Sequence, residues 1–172
     1  MRLPLAALIL ALPAVALAQA PTWPQTIPSS GGEVIIPSAP HKQAYDAIQF
    51  APARRAGDTL YVSGVIIGPV GKEGTDAAAF ETQTRRAFRQ LDMTLKAAGA
   101  SFDDVVMINS FHVWEGPDAP MPRMDQITVI NRVKAEYIKG PHPAWTAVGT
   151  TGLLAPRGVV EIQLIAHAPK KG

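Results

Sequence analysis

The chain predicts an α+β domain in which two helices pack on one face of a mixed β-sheet, and three observations carry that prediction. Near the end of the chain Val160, Ile162, Leu164 and Ala166 alternate with Glu161 and Gln163, the period-two pattern of a half-buried strand. Between positions 75 and 99, Ala77, Phe80, Ala87, Leu91, Leu95 and Ala98 fall on one helical stripe, with Thr75 or Asp76 placed to cap it and Gly99 to end it. Segments of these two kinds follow one another as strand, strand, helix, strand, helix, strand, strand, with no repeat at a solenoid or propeller period. A length of 172 residues, 47% of them hydrophobic and 17% charged, suits one domain with a sizeable core.

The elements follow in order. Residues 1–18 pair Arg2 with an apolar run from Leu3 to Leu17 that closes on Ala16, Leu17 and Ala18, which predicts a signal peptide cleaved after Ala18. The run is too short for a membrane anchor. The mature protein is then expected to be periplasmic or secreted, with no stable membrane association. Residues 19–44 carry Pro21, Pro24, Pro28, Pro37 and Pro40 with Gly31 and Gly32, and read as a proline-rich extended arm in which Val34 to Ile36 add at most a short edge strand. The domain proper is expected over 45–172. Its first unit is a hairpin from Phe50 to Ile67 turning at Ala56 to Asp58. The capped helix follows, then a strand from Val105 to about Trp114, rich in β-branched and aromatic residues. A second helix should run from about Pro122 to before Gly140, with Ile127, Ile130, Val133 and Tyr137 inward. Two closing strands, separated by a Gly/Pro loop, complete the chain. Apolar residues on both faces of the 59–67 strand call for a cover on the far side of the sheet, which self-association supplies.

Charge and composition restrict function. Without Arg2 the balance is 15 basic to 14 acidic residues, so no strongly charged partner is implied. There is no cysteine, which excludes disulfides and thiolate chemistry. His41, His112, His142 and His167 have no ligand spacing, so no metal is expected. Arg54, Arg55, Arg85, Arg86 and Arg89 are the basic clusters, but no interleaved aromatic platform accompanies them and no nucleic-acid partner is expected. His112 and Trp114 share a strand face, which reads as packing. Ser63 and Gly64 lack the surroundings of a nucleophile elbow, and the 68–74 loop lacks a phosphate-cradling ending. Glu161 remains as an acid anchored on a rigid strand, with a solvated or interfacial role as the plain alternative to a catalytic one. Trp145 is either packing or a ligand wall.

Four segments in order resemble the Rid family, also called YjgF, of reactive-intermediate deaminases. They are Arg55 to Gly64, Ala97 to Val106, Gly140 to Ala144 (Gly-Pro-His-Pro-Ala) and Val160 to Ala166, within a span of about Ile35 to Ala166. The resemblance implies a chorismate-mutase-like fold, a homotrimer with small-molecule clefts between subunits, and hydrolysis of small enamines or imines to carbonyl compounds and ammonia without a cofactor. It implies that Glu161 positions or activates water and that Asn131 lies near the cleft. Phe50 stands where many members have a pocket-closing tyrosine, and His142 is a further candidate for the cleft beside Trp145. The departure is Trp145 itself, which follows Pro143 and Ala144 where active imino-acid deaminases carry a carboxylate-gripping arginine. An indole offers one N–H and an apolar face in place of a bidentate fork. That directs the expectation away from 2-imino acids and toward a neutral, apolar, ring-bearing or cationic ligand, unless Arg157 in the loop before the last strand compensates. The competing expectation is a trimeric small-molecule binder that keeps the cleft without catalysis.

Overall fold

The computed structural model describes residues 20–119 and 121–170. Seven strands form one sheet: β1 (Gln25–Ser29), β2 (Gly32–Ile36), β3 (Ala53–Ala56), β4 (Thr59–Ile67), β5 (Val105–His112), β6 (Ala144–Gly149) and β7 (Val160–His167). Three helices accompany them, α1 (Ala39–Ile48), α2 (Ala77–Ala97) and α3 (Arg123–Tyr137). The strand order is β1-β2-β3-β4-β7-β5-β6, antiparallel except for the parallel pair β5 and β6. This is the mixed α+β sheet expected. The two closing strands do not pair with each other, because β7 inserts between β4 and β5 while β6 forms the outer edge.

The long helix begins where the sequence places it. Asp76 Oδ1 accepts from the Ala78 and Ala79 amides at 2.9 and 3.0 Å, satisfying two of the amides that a helix start leaves without partners. It ends at Gly99, whose φ of +72° is a left-handed conformation that suits glycine. Phe80, Ala87, Phe88, Leu91 and Leu95 bury one face against Leu60, Val62, Ile67, Ile162 and Leu164 of the sheet. Gly57 supplies the left-handed turn of the β3–β4 hairpin. In α3 the buried set is Gln126, Val129, Ile130 and Val133, so of the expected inward residues Ile130 and Val133 are buried while Ile127 and Tyr137 are half-buried.

The proline-rich segment departs from expectation. Instead of an extended arm, residues 25–36 form the β1–β2 hairpin with Gly31 at its turn, and β2 is an interior strand between β1 and β3. Val34, Ile35 and Ile36 are buried, so their apolar content outweighs the prolines. Pro28 lies in β1, the sheet's edge strand, where a missing donor is tolerated. Pro40 opens α1 in the first turn, where it costs no hydrogen bond. Arg55, on β3, ties this corner down by donating to Glu33 at 3.3 Å and to the Ala98 carbonyl at the end of α2. Among the described residues no helix is long and apolar enough to cross a membrane. The signal-peptide expectation for 1–18 falls outside the described residues.

Candidate functional site

Strand alternation sends Val160, Ile162, Leu164 and Ala166 into the helix-covered core, so Glu161 projects from the opposite, outer face. It lies opposite Ile66 on β4 and Phe111 on β5 and is half-buried. The β4 strand bulges between Val62 and Val65 beside it. There the Ser63 amide and hydroxyl turn away to the Pro52 and Ala51 carbonyls at 3.0 and 2.6 Å. Gly64 is the residue under the carboxylate. A Cβ at that position would run into Glu161 Oε1 and stand 2.6 Å from its Cγ and Cδ, so the seat of this acid exists because residue 64 has no side chain.

The same glycine lines a largely apolar cavity of about 660 Å³, with Phe50, Ser63, Val65, Arg86 and Arg157. Phe50 thus faces the cavity. Glu161 is seated against Gly64 and is not itself among the lining residues. Arg157 does reach this cavity, but its guanidinium is engaged by Asp118 at 3.2 and 3.3 Å and by the Gly71 carbonyl at 3.1 Å. Arg86 donates to Glu73 and to the Gly68 carbonyl, both at 2.6 Å, and holds the Glu73 carboxyl below its ordinary value. Both arginines therefore act on the 68–73 loop, fixing one wall.

Trp145 lies on the other face of the sheet. Its Cα partner is the buried Ile108, and its indole packs against the core on the helix side. Trp145 Nε1 donates to Ser110 Oγ at 2.8 Å, and Ser110 Oγ is 2.8 Å from His112 Nε2. His112 Nδ1 is 3.2 Å from Gln126 Oε1, and Gln126 Nε2 donates to the Val113 carbonyl at 3.2 Å. The last bond orients the amide, so His112 Nδ1 must carry the proton and Nε2 must accept from the serine hydroxyl. Every member then has a partner, and burial pushes the His112 pKa below its ordinary 6.5, in keeping with the neutral ring. The chain fixes the plane of the indole. Over that plane sits Lys134 of α3, its Nζ 4.4 Å from the ring centroid.

Asn131, one turn before Lys134, is exposed on α3, and His142 is exposed in the loop leading to β6. Neither these two nor Trp145 lines the 660 Å³ cavity. Within one protomer the sequence-derived candidates therefore divide in two. Phe50 and Glu161 gather around Gly64, and Trp145, Asn131 and His142 lie toward the β6 edge. The Ser110–His112–Gln126 chain and Lys134 escaped the sequence reading, although the three-residue step from Asn131 to Lys134 was a usable sign.

The arginine clusters are largely neutralised. Arg55 meets Glu33, Arg85 meets Glu81 and Glu136, and Arg86 meets Glu73. Among the described residues no group of three or more His, Asp or Glu side chains is placed to hold a metal ion.

Comparison with known proteins agrees with this architecture. The profile of the family described as endoribonuclease L-PSP matches residues 41–168. The RutC family protein YjgH of Escherichia coli K12 is 36% identical over 137 residues, covering 80% of this chain and 95% of that protein. Among solved structures, RidA from the Antarctic bacterium Psychrobacter sp. PAMC 21119 is 26% identical with a TM-score of 0.57, covering 83% of this chain and 98% of that one. Rv2704 of Mycobacterium tuberculosis, described as a member of the YjgF/YER057c/UK114 family, is 28% identical with a TM-score of 0.55, covering 73% and 92%. With its sheet order, its helix-backed core and this extent of match, the chain belongs to the endoribonuclease L-PSP family, the YjgF or Rid proteins.

Proposed function

We propose that this protein is a Rid-like hydrolase that converts a small imine, or an enamine after tautomerisation, to a carbonyl compound and ammonia. The observation that carries the reading is the seating of Glu161 over Gly64, which holds a carboxylate against the wall of an apolar cavity. In the proposed step Glu161 accepts a proton from water as the oxygen bonds to the imine carbon. The C=N π bond opens onto nitrogen, which takes that proton to give a carbinolamine; the hydroxyl proton then passes to nitrogen as C=O forms and the C–N bond breaks, so water and imine give carbonyl and ammonia with no oxidant, reductant or cofactor. General base assistance of this kind contributes typically about 10²–10⁴-fold.

The assembly that suits this reading is a homotrimer. The outer face exposes Tyr61, Phe111 and Val148, with Phe111 opposite Glu161, and a second copy laid on it would turn an open face into a closed cleft. Such a cleft would also let the Glu161 face of one copy meet the Trp145 edge of another. Family resemblance supports the deaminase chemistry, and export is part of the same proposal through residues 1–18.

The competing reading is a binder without turnover, favoured by Trp145 where the resemblance implies an arginine. Ammonia release from imines generated in place, measured as acceleration over spontaneous hydrolysis, separates the two. Acceleration that disappears in Glu161→Gln supports the hydrolase. No acceleration on acidic or neutral imines, with saturable ligand binding, would replace it by the binder.

A further inference from the structure

We propose that His41 is a second catalytic residue of the Gly64 cavity, the base that takes the hydroxyl proton of the carbinolamine and returns it to the departing nitrogen. The inference rests on the hydrolase reading above and assigns its second proton transfer to a named side chain. The helix that carries His41 adds little to the core, since none of the residues of α1 is fully buried. What α1 contributes is two rings to one cavity, His41 from its first turn and Phe50 from just past its end. Gln49 closes the helix with φ +56°, an uncommon conformation for a residue with a side chain, and Phe50 follows it into the lining.

At the other end Ser38 stands at the N-cap, yet its hydroxyl caps no backbone amide. It lies 2.7 Å from His41 Nδ1 instead, which anchors the half-buried ring through that nitrogen. Among the described residues Nε2 has no hydrogen-bond partner. The other polar groups of the lining are committed. Ser63 and Thr94 donate to the Ala51 and Gln90 carbonyls at 2.6 and 3.1 Å. Arg86 is held by Glu73 and Arg157 by Asp118, and a guanidinium does not give up its proton. On α1 itself Lys42 pairs with Asp46 at 2.6 Å. Glu161, seated against Gly64, serves the first transfer. His41 is thus the lining side chain whose type titrates between about pH 5 and 8. Burial lowers its pKa below the ordinary 6.5, so the ring rests neutral at pH 7 and readily gives back a proton it accepts.

With Nδ1–H donating to Ser38 Oγ, Nε2 keeps its lone pair for the ligand. Nε2 accepts the hydroxyl proton as the C=O bond forms. The imidazolium then gives that proton to nitrogen, which leaves with the C–N electron pair as ammonia, and the ring is neutral again.

The test uses the imine of benzaldehyde, generated in place from benzylamine by an amine oxidase, with benzaldehyde release followed above the spontaneous rate. His41→Phe and His41→Ala should each lower kcat about tenfold or more and melt close to the unaltered protein, because α1 buries no residue fully. In the unaltered protein kcat should fall with pH through a midpoint below 6.5 that matches the titration of the His41 ring followed by nitrogen NMR. His41→Phe should lack that step. Added imidazole should restore part of the rate to His41→Ala and none to His41→Phe, whose ring fills the space. Unchanged kcat in both variants, or a step at the same midpoint that persists in His41→Phe, overturns the assignment. No acceleration by the unaltered protein overturns the hydrolase reading and this one with it. Acceleration abolished by Glu161→Gln and kept by His41→Phe overturns this one alone, so the two failures are distinguishable.

Discussion

At the scale of single residues, the account turns on two contacts that no motif announces. Gly64 has ordinary backbone angles, so alanine is conformationally allowed there, and what it would strike is the movable end of Glu161. Gly64→Ala should therefore displace the carboxylate and lower kcat by tenfold or more while costing about 1 kcal/mol of stability or less. Steady-state kinetics beside thermal melting checks this, and unchanged kcat would detach Gly64 from the chemistry. His112 gives a second residue-scale prediction. A histidine whose folded pKa is depressed binds fewer protons folded than unfolded, so its contribution favours the folded state above pH 6.5 and is lost as pH falls toward the folded value. His41 is lowered by burial too and acts in the same direction, so the ring itself must be observed. Nitrogen NMR of His112 should find the Nδ1–H tautomer and a titration midpoint below 6.5. An Nε2–H ring would break the hydrogen-bond chain that fixes Trp145.

At the scale of elements, α2 and its cap were legible because caps and a 3.6-residue stripe are local signals. Asp76→Ala should cost about 1 kcal/mol, or roughly 2–4 °C in melting temperature, and circular dichroism on heating measures it. The β3–β4 hairpin, the start of β5, and the inward side of β7 were legible for the same reason. The β1–β2 hairpin was not, since Pro21 to Pro40 dominate the local composition while the burial of Val34 to Ile36 depends on pairing with β3. Insertion of β7 between β4 and β5 is likewise a long-range choice that periodicity does not encode. It decides the site, because it puts the Glu161 carboxylate beside the β4 bulge. Trp145 was singled out in the sequence through the resemblance alone. Its orientation was not legible, because that depends on the polar chain through Ser110, His112 and Gln126 and on a lysine from another element.

At the scale of the whole molecule, one face of the sheet is closed by α2 and α3 and the other leaves Tyr61 47% and Phe111 37% exposed around Glu161. Removing that apolar area from water is a driving force for self-association, at roughly 25 cal/mol per Å². Sedimentation should report a trimer, and Phe111→Asp should shift it toward monomer while α2 and its core remain folded. An unaltered mass in that variant would move the interface elsewhere. The central claim is that a carboxylate seated by the fold directs water at an imine carbon. The most direct measurement is the rate of imine hydrolysis above background for the assembled protein and its Glu161→Gln variant. The account predicts a loss in kcat of about 10² or more in the variant; equal rates in the two proteins would contradict it.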